Sequence, residues 1–353
     1  MTNPNTPHER PAPVSAVPDP KHTPDGEHQG SRPLFEGLDL RPPPPGPPPR
    51  RALRRSDLRE GARVDGAEVP DRVWVRLRRL SQELTTTPGQ RQEAELERRL
   101  TQRRHVSRTN LVAVVSPKGG VGKTTLSFLI GEMLASRPKL RVLVVDTNPD
   151  FGTLGKLAPD SHATEHQMTD VISQMDRIRS AAELDPYLAS TPTGLHLLAA
   201  PQKPELMEAM SPELYGKLLA FLGRFYHVIV LDLGTGLTDK LAQFALGRAD
   251  QAVVVSKPGY VTMSTVLYAL DYVLDRLGGH QLTMALNQAP KGTQTRSLES
   301  KLRGQSLSRQ ITIPQDQRLE NMIDAGTYTC ERLPRRTRLA IKHLALAVAD
   351  QFV

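Results

Sequence analysis

From Asn110 onward, short apolar runs alternate with longer stretches whose apolar residues recur at helical spacing. The short runs are Leu111–Val115, Arg141–Val145, Leu195–Ala199, His227–Leu231, Gln251–Val255, Gln281–Leu286 and Gln310–Ile313. Segments such as Val228–Leu231 and Ala252–Val255 are apolar at every position, so both faces of those strands must be covered. Between the runs, the period predicts helices over Thr124–Ser136, Met168–Met175, Pro212–Phe225, Thr238–Leu246, Thr262–Leu277, Arg318–Ala325 and Pro334–Phe352. Alternation of this kind predicts an α/β fold, a doubly wound and mostly parallel sheet with ligands beyond the carboxyl ends of its strands.

The chain before this region follows neither pattern. Residues 1–50 hold 15 of the 30 prolines, including Pro42–Pro45 and Pro47–Pro49, with few large apolar side chains. Such a segment cannot bury enough surface to order itself and is expected to be a disordered arm with polyproline II character near its end. Residues 51–109 form a basic connector. Val73, Val75, Leu77 and Leu80 around Trp74 predict a helix over Asp71–Leu84, entered at Pro70 and ended by Pro88-Gly89. A second helix is expected over Arg91–Arg104, with Glu95 and Arg99 spaced i,i+4 and Leu96 and Leu100 on one face. Both are expected to dock on the following domain, 110–353, or on a partner. Their apolar content is thin for a DNA-reading helix-turn-helix with a core of its own.

Charge sharpens this division. The net charge of +8 is uneven: residues 1–50 carry 5 basic and 6 acidic groups, and residues 51–110 carry 15 arginines against 9 acids. The connector therefore suits nucleic acid, anionic lipid or an acidic partner, and equally a solvated helix; charge alone does not choose. The single cysteine, Cys330, excludes a disulfide framework, a cysteine-based zinc site and an iron–sulfur cluster that needs two ligands per subunit. With neither an apolar export signal at the N-terminus nor a membrane-length apolar stretch, the expected location is cytoplasmic, at most peripheral to membrane machinery or the nucleoid.

The chemistry begins at Ser116, in the string S-P-K-G-G-V-G-K-T-T. A strand precedes it and a helix follows, the context a phosphate-binding loop requires. Gly119, Gly120, Val121 and Gly122 let backbone N–H groups point into one concavity at a helix N-terminus. Lys123 then meets the β- and γ-phosphates, and the hydroxyl of Thr124, followed by Thr125, completes a Mg²⁺ shell. Against G-x-x-x-x-G-K-[ST], Pro117 stands where the first glycine belongs; against K-G-G-x-G-K-[ST], every position from Lys118 to Thr124 fits. Lys118 is surplus to the ordinary loop. Asp146, at the end of the second strand, is placed to orient an attacking water or a Mg²⁺-bound water. Asp232 follows four apolar residues, a Walker B pattern that holds Mg²⁺ through water, and the Gly234 N–H approaches the γ-phosphate. The expected cofactors are ATP and Mg²⁺, and the expected activity is ATP hydrolysis with Lys123 and Asp146 as catalytic residues.

With these strings in place, the chain resembles the MinD/ParA group of deviant-Walker ATPases over roughly residues 110–352. The loop at 118–125, V-D-T-N-P-D-F-G-T-L from Val145 and D-x-G-x-G from Asp232 carry the resemblance. Ala249-Asp250-Gln251, Asn287 at a strand end and Ile313-Pro314-Gln315-Asp316 extend it. It implies that Lys118 reaches across a dimer interface to the phosphates of the opposite subunit. It also implies that Asn287 contacts adenine and that backbone after Pro314 lines the base pocket; otherwise Asn287 is a strand-end cap. N-P-D-x-G-T-L and D-x-G-T-G-L are similar to MinD-like proteins of actinobacterial type VII (ESX) secretion loci, which share a proline-rich front and a helical connector. One departure matters. ParA-like proteins usually carry a second aspartate two residues after the first, and Asn148 stands there instead. Asparagine carries no negative charge and accepts no proton, so hydrolysis is expected to be slow or partner-stimulated unless Asp150 compensates.

The leading expectation is a nucleotide switch: ATP closes a homodimer, and the dimer regulates secretion or positioning machinery, with a protein partner on the proline-rich arm. The alternative is a DNA-partition ATPase that binds nucleic acid non-specifically through Arg332, Arg335, Arg336, Arg338 and Lys342 or through the connector arginines. Membrane attachment through Arg338–Val353 is less expected, because that helix ends without a basic tail. A nitrogenase-type reductase lacks its paired cysteines, and a tyrosine kinase of this loop family lacks a tyrosine-rich tail.

Overall fold

A computed structural model of the chain describes residues 88–102, 106–148, 152–234, 236–237, 239–278, 281–290 and 309–352. The arm at 1–50, the helix expected over 71–84 and Asp150 lie outside the described residues.

The sheet has eight strands: β1 (Asn110–Val115), β2 (Val142–Thr147), β3 (Ala189–Ser190), β4 (His196–Leu198), β5 (Val228–Leu233), β6 (Gln251–Ser256), β7 (Gln281–Ala289) and β8 (Arg309–Pro314). Their order is β3-β4-β2-β5-β1-β6-β7-β8. Every pairing is parallel except β3 with β4. All six residues of β2, β5 and β6 are buried, as continuous apolar runs require of strands covered on both faces. The seven expected strands are present. β2 and β5 run two residues further than expected, because Asp146 and Asp232 read as strand ends by polarity but belong to the ladder. The two-residue β3 is too short to leave a period in the sequence.

Ten α-helices surround the sheet among the described residues: α1 (Pro88–Thr101), α2 (Lys123–Ala135), α3 (Met168–Gln174), α4 (Ala181–Leu184), α5 (Pro204–Glu208), α6 (Pro212–Leu222), α7 (Lys240–Arg248), α8 (Tyr260–Leu277), α9 (Gln317–Asp324) and α10 (Arg335–Ala349). The single-turn α4 and α5 were not expected. α2 is buried all round from Leu126 to Ala135, the signature of a helix at the centre of the domain. α6 starts where Ser211 accepts the Leu214 N–H and Pro212 occupies the first turn. α7 starts two residues later than expected, because Asp239 caps it by accepting the Leu241 and Ala242 N–H groups.

The connector reading needs two corrections. α1 begins at Pro88, three residues before the expected start at Arg91, since proline has no N–H to lose in a first turn. Glu95 pairs with Arg98 at 2.8 Å, not with Arg99, which reaches Asp350 at 3.2 Å. α1 docks on α10, with Leu96 and Leu100 each 4 % exposed within the cluster that holds Ile341 and Leu344. Burying two leucines contributes about 1.5–3 kcal/mol each. Glu93 accepts from Arg338 and lies 3.6 Å from both Arg335 and Lys342, and Lys342 meets Glu97 at 2.6 Å. No helix among the described residues is long and apolar enough to cross a membrane.

Candidate functional site

The site lies at the carboxyl edge of the central strands. β1 ends at Val115, and the fully buried Ser116 turns the chain by accepting the Lys118 N–H on its hydroxyl at 3.2 Å. Gly120 and Gly122 adopt φ of 69° and 91°, a left-handed backbone that leaves the loop concave. Gly122 then caps α2, its carbonyl accepting Leu126 N–H at 3.0 Å. A Cβ on Gly122 would lie 2.3 Å from Asn287 Nδ2, so that position is closed to other residues. The loop therefore has what a phosphate cradle needs, a left-handed glycine backbone leading directly into the first turn of a buried helix.

The two lysines have different settings. Lys123, partly buried, has its pKa lowered by desolvation, with the Asp232 carboxylate opposing that shift. Lys118 is exposed at the mouth of the loop. The surplus lysine is thus exposed, while the ordinary one lies near Asp232.

Asp146 and Asp232 are register partners on β2 and β5, 1 % and 2 % exposed. Asp232 Oδ1 accepts from the Ser127 hydroxyl at 3.1 Å, and the Thr124 hydroxyl bonds the same carboxylate. Burial, then repulsion from Asp146, pushes Asp232 up to about 7 against the pull of those hydroxyls and Lys123. A carboxylate and a threonine hydroxyl at the foot of a phosphate loop form an oxygen-donor set that suits Mg²⁺. Asp146 is also raised by burial, while N–H bonds from Asn148 (3.0 Å, to Oδ1) and Leu154 (3.1 Å, to Oδ2) pull it back. Those bonds tie Asp146 to the loop that follows its own strand. Gly152 passes so close that a Cβ there would lie 2.2 Å from Asp146 Oδ2.

Asn287, 5 % exposed at the end of β7, donates Nδ2 to the Val121 carbonyl at 2.9 Å. It braces the phosphate loop from a strand two places away. Pro314 ends β8 beside Ala289, and Gln315 N–H continues the pairing to the Ala289 carbonyl at 3.0 Å. Gly234 is buried directly after β5. The structure thus brings Lys118–Thr125, Asp146, Asp232, Gly234, Asn287 and Pro314 to one edge of the sheet.

Three contributors were not expected. Ser127 lies one turn beyond Thr124 on α2, and helical spacing alone would have placed it on the same face. Thr147 donates its hydroxyl to the Asp232 carbonyl at 2.8 Å and pins the two acid-bearing strand ends together. Tyr215, fully buried, sets its phenol beside Thr147 and near Asp146, and burial raises its pKa. By contrast, a cavity of about 410 Å³ lies at the other end of α2, lined by Leu100, Phe128, Glu132 and Cys330, remote from this chemistry. Of the C-terminal cations expected to meet nucleic acid, Arg335, Arg338 and Lys342 face the acids of α1, while Arg332 and Arg336 are exposed.

A glycine cradle, an inward lysine and two paired strand-end carboxylates define a P-loop domain of the deviant-Walker kind. The AAA_31 family model, an AAA domain, matches residues 109–280. The ESX-1 secretion-associated protein EspI of Mycobacterium tuberculosis is 29% identical over 212 residues, which are 60% of this chain and 30% of EspI. The septum site-determining protein MinD of Bacillus subtilis is 28% identical over 147 residues, 42% of this chain and 53% of MinD. The chain therefore spans only part of the length of these relatives. The solved structure of MinD from Pyrococcus horikoshii complexed with Mg-ADP is similar with a TM-score of 0.56 at 19% identity, over 69% of this chain and 96% of that one, a likeness of fold. In sequence and in fold the chain is similar to MinD/ParA-type P-loop ATPases.

Proposed function

We propose that the chain is an ATP-driven switch: nucleotide binding closes two copies face to face, and hydrolysis separates them. The observation that carries this reading is the opposed setting of the lysines, Lys123 inward over Asp232 and Lys118 exposed at the loop mouth. The backbone of 119–122 and Lys123 would hold the phosphates of ATP; Thr124 and Asp232 would hold Mg²⁺, with Asp146 beside them. Bound Mg²⁺ supplies charge neutralisation at the β- and γ-phosphate oxygens. Asn287 and the backbone after Pro314 would line the base. In the closed dimer, Lys118 would complete the site of the other copy, so that only a triphosphate held between two chains is fully neutralised. Differential contact with the γ-phosphate then provides the free energy of closure.

The output would be regulation of a partner machinery, and the similarity to EspI favours one associated with type VII secretion. Non-specific DNA partition is less favoured, because three of the five C-terminal cations it would use, Arg335, Arg338 and Lys342, are paired with acids of α1. Sedimentation velocity tests the switch. With Mg-ATP, the wild type should dimerise, Lys118→Ala should bind nucleotide and stay monomeric, and Lys123→Ala should lose nucleotide binding. Unchanged dimerisation of Lys118→Ala would remove the cross-subunit role.

A further inference from the structure

Three arginines converge at the end of the sheet opposite the phosphate loop. Strands β5, β1 and β6 are neighbours, and each is entered from a segment carrying one arginine: Arg224, Arg108 and Arg248. Because the strands are parallel, the entries share the amino edge, about 20 Å from the P-loop at ~3.3 Å rise per residue. The three arginines line one concave surface of about 440 Å³ whose floor includes Leu111, Leu219 and Ala220.

Asp250 is the one acid in this lining, and it is engaged. Its Oδ1 accepts from Arg108 at 2.6 Å and its Oδ2 from the Leu111 N–H at 2.8 Å. Arg224 and Arg248 are exposed and have no carboxylate in ion-pair range among the described residues. Each guanidinium is held by an aromatic face. Arg224 stacks on Phe225 at 5.3 Å and Phe221 at 5.7 Å, and Arg248 on Phe244 at 5.0 Å. Stacking fixes the plane and leaves the edge N–H donors available for bidentate contact, so little side-chain freedom remains to be lost on binding. The carboxyl ends of α6 and α7 oppose an anion with roughly half a charge each. Against three guanidinium groups and one carboxylate, the surface stays positive by about one charge.

The geometry points to a second anion site at the amino edge, which takes a phosphate group borne on a partly apolar body. Asp250 engages the Arg108 guanidinium, and a tetrahedral phosphate offers enough oxygens for the forks of Arg224 and Arg248. The phosphate belongs either to a lipid headgroup or to a free compound, and the two arms of the test separate these sources.

The full chain, with Mg-ADP at saturation to occupy the P-loop, is titrated calorimetrically with inorganic pyrophosphate at low salt. In parallel it is floated with phosphatidylcholine vesicles with and without phosphatidic acid. Pyrophosphate binding that falls at least tenfold in Arg224→Gln/Arg248→Gln, with Mg-ADP affinity and thermal midpoint unchanged, supports the site. Flotation only with phosphatidic acid, lost in the same variant, assigns the phosphate to lipid. Pyrophosphate binding without flotation assigns it to a free compound. Arg248→Lys, which keeps the charge and loses the fork, should bind with intermediate strength. The inference is overturned if neither probe binds the wild type, if the double variant binds equally, or if Arg248→Lys matches the wild type.

Discussion

Asp146 and Asp232 stand side by side as paired positions of β2 and β5, each almost fully buried, with the Thr147 hydroxyl fastened to the Asp232 carbonyl between them. Two carboxylates held this close in a dry site repel each other, and only cations at the loop can relieve that repulsion. Lys123 offers one positive charge. A divalent metal with its nucleotide would supply the rest, so the repulsion that destabilises the empty site favours loading.

This arrangement predicts a pH-dependent stability of the nucleotide-free protein. Burial and Asp146 raise Asp232 from 3.8 to about 7. A carboxylate whose folded pKa is raised binds its proton more tightly in the native state. Its stabilising contribution is therefore complete below about pH 4 and is lost as pH rises through 7. That rise corresponds to about 4 kcal/mol. Asp232→Asn removes the titration, so the variant's unfolding free energy relative to wild type should climb between pH 4 and 7 and level off above. Urea unfolding without nucleotide and Mg²⁺ measures this, and a flat difference curve would contradict it.

The brace between Asn287 and the phosphate loop can be separated from the loop's own geometry. Gly122→Ala places a Cβ at φ 91° against Asn287 Nδ2. Strain of about 1–3 kcal/mol is expected, together with a loss of Mg-ADP affinity of more than tenfold. Asn287→Ala removes the obstacle and one hydrogen bond, a cost of about 1 kcal/mol. Without nucleotide, the double variant should be more stable than Gly122→Ala alone, as read by scanning calorimetry. Additive losses would show that the two residues act independently.

The loop and the strand-end acids were legible because each is a local string. Their mutual placement was not. Asn287 and Val121 are 166 positions apart, and Glu93 and Arg338 are 245 apart, so nothing in local pattern announces either contact. Arg335, Arg338 and Lys342 read as a basic surface because sequence displays charge without its partner. Ser127 was within reach, since Thr124 fixes a helix face and the next turn on that face carries a hydroxyl. The parallel core was visible for a different reason: strands buried on both faces leave no polar position to confuse the period.

The docked connector makes a prediction about stability. Leu96 is 4 % exposed against α10, and Leu→Ala at such a site costs about 2–5 kcal/mol. Glu93→Gln leaves Arg338 and Lys342 facing a neutral amide in a partly exposed setting, so a loss of about 1 kcal/mol is expected. Denaturant unfolding should rank Leu96→Ala well below Glu93→Gln, with the gap widening in high salt, where the ion pairs are screened. Equal effects would mean that charge, not packing, holds α1 in place.

Asn148 offers the sharpest test of the catalytic reading. Its backbone N–H donates to Asp146 Oδ1, so this residue sits directly beside a buried acid of the candidate site. An amide there orients water by hydrogen bonding but takes no proton. Asn148→Asp adds a base, and proton transfer by a positioned side chain contributes about 100-fold or more when alignment is good. The structure was not built around that charge, so a gain of about tenfold is expected in single-turnover phosphate release with saturating Mg-ATP. The new carboxylate also adds repulsion to Asp146 and Asp232. The variant should therefore be less stable than wild type above pH 7 without Mg²⁺ and recover when Mg-ADP is added. An unchanged rate with the stability effect intact would place the added charge near the acids yet outside the reaction, leaving Asp146 or a partner to activate water.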